Sequence, residues 1–101
     1  MSFGLIIEAE VREEMRQAGD WYEEREPGVG GRFAVVLDKY LQQIISDPFR
    51  YPKAGPTTYK TKVIGWPYSI YFTILEDKRL VKVIAVWQGN QDPAKLRRRL
   101  K

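Results

Sequence analysis

A chain of 101 residues with 44% hydrophobic content can bury one modest core, so it forms one domain (1–101) and is too apolar to be wholly disordered. It has no cysteine and no histidine, which excludes disulfides, thiolate or imidazole metal sites, a Cys nucleophile and His-based acid–base chemistry. The net charge of +4 is unevenly spread: residues 8–26 carry eight acidic and three basic side chains, residues 50–101 three acidic and twelve basic. The second half is therefore the part expected to meet an anionic partner, although lysines also serve simply to blunt sheet edges.

Phe3 to Ile7 is a short apolar run of strand length. From Glu8 the period changes, and Val11, Met15, Ala18 and Tyr22 fall on one face of a helix. Glu8 and Glu10 would lie in its first turn, where the helix dipole favours negative charge. Glu26-Pro27-Gly28 ends it. A second helix is predicted from about Val29 to Ile45, with Phe33, Val36, Leu37, Tyr40, Leu41 and Ile44 in a broad apolar stripe. The short link predicts an antiparallel helix pair. Asp47-Pro48 stops the second helix, and residues 48–57, rich in proline and glycine, read as a loop.

Thr58 to Ile64 alternates, with Tyr59, Thr61 and Val63 on one face and Lys60 and Lys62 on the other. Gly65-Trp66-Pro67 is a turn, Tyr68 to Leu75 a strand with Ile70, Phe72 and Ile74 on one face, and Glu76-Asp77-Lys78 a hairpin turn. Leu80 to Trp87 is almost continuously apolar, as expected at the centre of a sheet. The tail, residues 94–101, is strongly basic and could add a last helical turn. The order β-α-α-β-β-β gives an α+β fold: a helix hairpin on one face of a mostly antiparallel twisted sheet. The apolar runs are far shorter than a membrane span and no secretory leader is visible, so a soluble cytoplasmic protein is expected.

No metal-ligand spacing, phosphate-binding loop or catalytic triad is present, and no cofactor is expected. Gly28, Gly30 and Gly31 lie between two helices, not after a strand, and so form no nucleotide fingerprint. Lys60, Lys62, Arg79 and Lys82 are the basic side chains of the sheet region, with Tyr59, Tyr68 and Tyr71 among them. RNA cleavage without histidine would need Lys or Tyr to move the 2′-hydroxyl proton and Lys or Arg to stabilise the phosphorane charge. Solvated lysines are the commoner outcome. The sharpest charge cluster is Lys95, Arg97, Arg98, Arg99 and Lys101, either a contact for an acidic protein or nucleic acid or an ordinary frayed terminus. Trp66 and Trp87 suit either interface anchors or caps on the core.

Ala9, Trp21-Tyr22-Glu23, Pro27-Gly28, Arg32-Phe33, Asp47-Pro48, Trp66-Pro67-Tyr68-Ser69-Ile70-Tyr71 and Asp92-Pro93, in this order, resemble the RelE/ParE superfamily of bacterial toxins. The resemblance runs from the first strand to Pro93. It implies the hairpin-on-sheet fold, a bacterial cytoplasmic location, and a cognate antitoxin laid over the helix hairpin and the sheet. ParE-like members inhibit DNA gyrase and RelE-like members cleave mRNA in the ribosome. The Trp-Tyr-Glu and Pro-Tyr-Ser-Ile-Tyr signatures are closer to the ParE side, the plasmid-stabilisation type. ParE-like chains usually carry His and Arg just before the final Asp-Pro, where this chain has Gln88 and Gln91. RelE-like nucleases use basic residues and a C-terminal tyrosine, and here no tyrosine follows Tyr71.

The leading expectation is a ParE-like toxin that binds gyrase and has no catalytic residue. Its target contacts would be Trp87, Gln88, Gln91, Lys95, Arg97, Arg98 and Arg99. The alternatives are an mRNA endonuclease using Lys60, Lys62, Arg79 and Tyr71, and a non-toxic interaction module of the same fold. The oligomeric state is left open.

Overall fold

A computed structural model describes residues 2–89 and 91–100. Its elements are β1 (Gly4–Ile7), α1 (Ala9–Arg25), α2 (Val29–Ser46), β2 (Tyr59–Val63), β3 (Tyr68–Leu75), β4 (Leu80–Gln88) and α3 (Pro93–Arg99), with single 3-10 turns at Pro48–Arg50 and Glu76–Lys78. The sheet order is β1-β4-β3-β2. β2 and β3, and β3 and β4, are antiparallel, whereas β1 pairs with β4 in parallel. Both expected helices and all four expected strands are present, within a few residues of the expected bounds.

α1 and α2 cover one face of the sheet. Val11 of α1 and Phe33, Leu37, Leu41 and Ile44 of α2 are buried against Val63, Ile70, Phe72, Val81, Val83 and Val86. Each large side chain sunk here contributes about 1.5–3 kcal/mol. The helices cross closely where Gly19 faces Gly30. Gly28 makes the turn between them with φ +93°, a left-handed conformation suited to glycine. The Glu23 carboxylate accepts hydrogen bonds from the Gly28 amide (2.9 Å) and the Gly30 amide (3.0 Å). It therefore satisfies donors that the start of α2 would otherwise leave unpaired. Glu8 precedes α1 with extended backbone, so of the two acids expected in the first turn only Glu10 lies inside it.

The apolar run Val83–Trp87 has a local cause. Tyr71 pairs with Ala85 and Phe72 with Val83, so Ile84 has no partner across the ladder. The bulge reverses the alternation. Val81, Val83 and Val86 face the hairpin, while Ala85 and Trp87 join Tyr71 in a second cluster. Leu96 and Leu100 pack on that cluster. The basic tail is thus a seven-residue helix with a packed apolar side, more than the single turn expected; Lys101 lies outside the described residues. Among the described residues no helix is long and apolar enough to cross a membrane.

Candidate functional site

The sheet's second face gathers most of the basic residues singled out in the sequence. Lys60 stands opposite Tyr71 and Lys62 opposite Ser69 on neighbouring strands. The two lysines are thus on one face, roughly 7 Å apart along β2. The Lys60 ammonium lies 5.6 Å from the centre of the Tyr71 ring. Lys62 is exposed and Lys60 half-buried, and Tyr71 is only 9% exposed. Lys82 shares this face but is paired with Glu8 at 3.0 Å.

Arg79 does not join this group. It turns the corner between β3 and β4 with φ 53°, and its carbonyl accepts from the Gly4 amide at 2.8 Å. Its guanidinium sits 4.5 Å from the centre of the Phe3 ring. Tyr71 and the corner residue Leu75 are four positions apart on β3, roughly 13 Å. The set Lys60, Lys62, Arg79 and Tyr71 is therefore reduced to Lys60, Lys62 and Tyr71.

α3 lies over the same face. Asp92 caps it by accepting from the Ala94 amide (2.9 Å), and Pro93 opens it. Its last turn is clamped to α1. Arg99 donates twice to the Glu14 carboxylate, at 2.6 and 2.7 Å, and once to Glu10 at 2.7 Å. Glu14, with the charge of Glu10 beside it, holds the guanidinium above its usual range against the opposing effect of partial burial. The guanidinium also lies 5.2 Å from the centre of the Trp87 ring. Trp87 is 7% exposed, and its indole Nε1 has no hydrogen-bond partner among the described residues. Lys95, Arg97 and Arg98 remain exposed.

Solved structures share this architecture. A double arginine-to-alanine variant of E. coli toxin RelE, in the free state, superposes with TM-score 0.66 at 20% identity, covering 95% of this chain and 93% of that one. A chain of the intact E. coli RelBE toxin–antitoxin complex gives TM-score 0.63 at 20% identity, with 89% of this chain and 100% of that one covered. The same RelE variant bound to an antitoxin RelB peptide gives 0.58 at 20% identity, covering 97% and 95%. This chain has the RelE fold. No sequence-family profile and no curated protein sequence matches it.

On the RelE fold, the residues expected to contact a target divide into two groups. Trp87 is covered by α3, and Arg99 is engaged with α1. Gln91 Oε1 accepts from the Gln88 amide at 2.8 Å, so Gln91 closes the turn after β4. Lys95, Arg97 and Arg98 keep free access to solvent. Trp66 packs on Tyr22 and Phe33, with ring centres 5.0 Å apart in both cases, so it caps the core.

The opposite face of this RelE-fold chain carries a groove of about 640 Å³ along the helix pair, floored by Leu5, Ile7, Met15, Leu37 and Leu41 with Arg12 and Asp38 on its rim. Sequence reasoning missed the roles of Glu23, Glu10 and Glu14. The spacing of Glu10 and Glu14 puts both on one face of α1, a signal that they meet a common cation.

Proposed function

We propose that this chain is the toxin of a toxin–antitoxin pair and that it acts on RNA through the sheet face bearing Lys60, Lys62 and Tyr71. The observation that carries the reading is the register that sets Lys60 against Tyr71 and Lys62 beside it, on the sheet face that also carries α3 with its exposed Lys95, Arg97 and Arg98. Cations on one face hold a phosphodiester backbone, and they stabilise the added charge when a 2′-hydroxyl attacks the neighbouring phosphorus. An antitoxin segment with an apolar helical stripe suits the groove between α1 and α2. The solved RelE structures with antitoxin bound support an antitoxin partner.

The gyrase reading rests on the exposed Lys95, Arg97 and Arg98 beside the turn after β4. The engagement of Trp87, Gln91 and Arg99 within the chain leaves it fewer contacts. The test is pulse labelling of protein and DNA synthesis minutes after induction in bacteria. The RNA reading expects protein synthesis to fall first, and the Lys60→Ala, Lys62→Ala double variant to lose the effect. A first fall in DNA synthesis supports the gyrase reading, and no growth defect supports a non-toxic module.

A further inference from the structure

We infer that Arg99 is a positioning residue: its clamp to Glu14 and Glu10 holds α3 on the sheet, and so keeps Lys95, Arg97 and Arg98 on the Lys60–Lys62 face. The presentation of those cations to RNA rests on the function proposed above; the clamp itself does not.

The argument starts from the helix alone. α3 has seven residues, and isolated helices shorter than about 12–15 residues are marginal in water. Its order must therefore come from packing. The packing is thin, because Leu96 and Leu100 are both only half-buried on Tyr71, Ala85 and Trp87. The buried Trp87 Nε1–H in that cluster has no acceptor among the described residues, a cost to the packed arrangement.

Against this stands the clamp. Arg99 forms a two-pronged bond to Glu14, assisted by Glu10, and its side chain is only 20% exposed. Such a pair is screened less than the exposed ion pairs elsewhere on α1. It ties the last turn of α3 to a different layer of the fold, 85 positions away in sequence. The cations of α3 follow from it. Leu96 and Leu100 rest on the cluster formed by Tyr71, Ala85 and Trp87, and the Lys60 ammonium lies 5.6 Å from the centre of the Tyr71 ring. With α3 closed, both sets of charges share one surface; with α3 open, they separate.

The test is hydrogen exchange of the segment 93–100 in the full-length protein and in Glu14→Gln, Arg99→Ala and Arg99→Lys, with the β4 and α2 amides as the folding control. Glu14→Gln and Arg99→Ala are expected to speed exchange of the segment about 10- to 100-fold, with the control amides unchanged. Arg99→Lys, which keeps the charge but loses the fork, is expected to fall between. Exchange unchanged in Glu14→Gln and Arg99→Ala overturns the inference, as does a wild-type segment that exchanges like a free peptide.

A second readout uses a short single-stranded RNA oligonucleotide. Glu14→Gln raises the net charge from +4 to +5, so electrostatics alone tightens binding. Positioning by the clamp instead weakens it several-fold. Tighter binding by Glu14→Gln overturns the positioning role. A wild-type protein without RNA affinity overturns the RNA reading, while the exchange result still decides the clamp.

Discussion

Replacing Gly30 by alanine tests the crossing that brings the two hairpin helices together. A Cβ at Gly30 would stand 2.5 Å from the Gly19 carbonyl oxygen and 2.9 Å from the Glu23 side chain. The nearest obstacle is backbone, so α1 must shift away from α2. Alanine in place of glycine in an unobstructed helix gains up to about 1 kcal/mol. Overpacking costs about 1–3 kcal/mol, and displacing Glu23 weakens its bonds to the Gly28 and Gly30 amides. The net expectation is a loss of about 1–3 kcal/mol.

Gly31 is the internal control. It is the next residue of α2, and a Cβ there meets nothing within 4 Å. Gly31→Ala is expected to gain up to about 1 kcal/mol. Urea denaturation followed by far-UV circular dichroism gives both values, read from the midpoint at constant m. For a domain of this size the loss corresponds to about 4–8 °C in Tm for each kcal/mol. A Gly30→Ala protein as stable as Gly31→Ala would show that the helices do not meet there, and the reasoning would fail.

Three further outcomes are expected. Phe72, fully buried between Tyr51 and Tyr59, should cost about 3–5 kcal/mol as Phe72→Ala, measured by denaturant titration; a loss under about 1 kcal/mol would refute its place in the core. Gly28→Ala should lose about 1–2 kcal/mol in thermal melts although its Cβ would meet open space, because φ is +93°; Gly28→Asn should recover part of that. Burial raises the Tyr68 hydroxyl above the usual tyrosine range, the Tyr22 charge adding to it, and burial also raises Tyr22. The folded chain then keeps protons that the unfolded chain releases. That stability is complete below about pH 10 and is lost as pH rises through the folded-state values. Tyr68→Phe should therefore show a shallower decline in denaturation midpoint above about pH 10, and an unchanged slope would remove the effect.

The helix hairpin was legible in the sequence because Val11, Met15, Ala18 and Tyr22 keep a helical period and Pro27-Gly28 breaks it. The faces of β2 and β3 were equally legible, since Lys60 and Lys62 alternate with Tyr59, Thr61 and Val63. β4 was readable as an inner strand, but its continuous apolar run hid the bulge at Ile84 that turns Trp87 to the other face. Arg79 looked like a sheet cation because sequence position carries no sign that the residue turns a left-handed corner toward Phe3. The tail read as a cluster of target-contacting charges or a frayed terminus, and its packed side went unseen. Two leucines among five basic residues are a weak apolar signal, and the Arg99 clamp joins residues 85 positions apart. Local patterns reveal which element forms; pairings across the whole chain decide which charges remain free.

The parallel pairing of β1 with β4 bears on how the protein is made. Gly4 aligns with Leu80, and every pair in that ladder joins residues 76 positions apart. During synthesis the first strand emerges with no partner and waits until nearly the whole chain has followed. Such non-local closure is slow, and it leaves apolar surface uncovered in the meantime. β4 also pairs with β3 on its other side, so a chain interrupted before Leu80 lacks an inner strand and not merely an edge. A product truncated before Leu80 therefore leaves β1 and β3 without the strand that joins them.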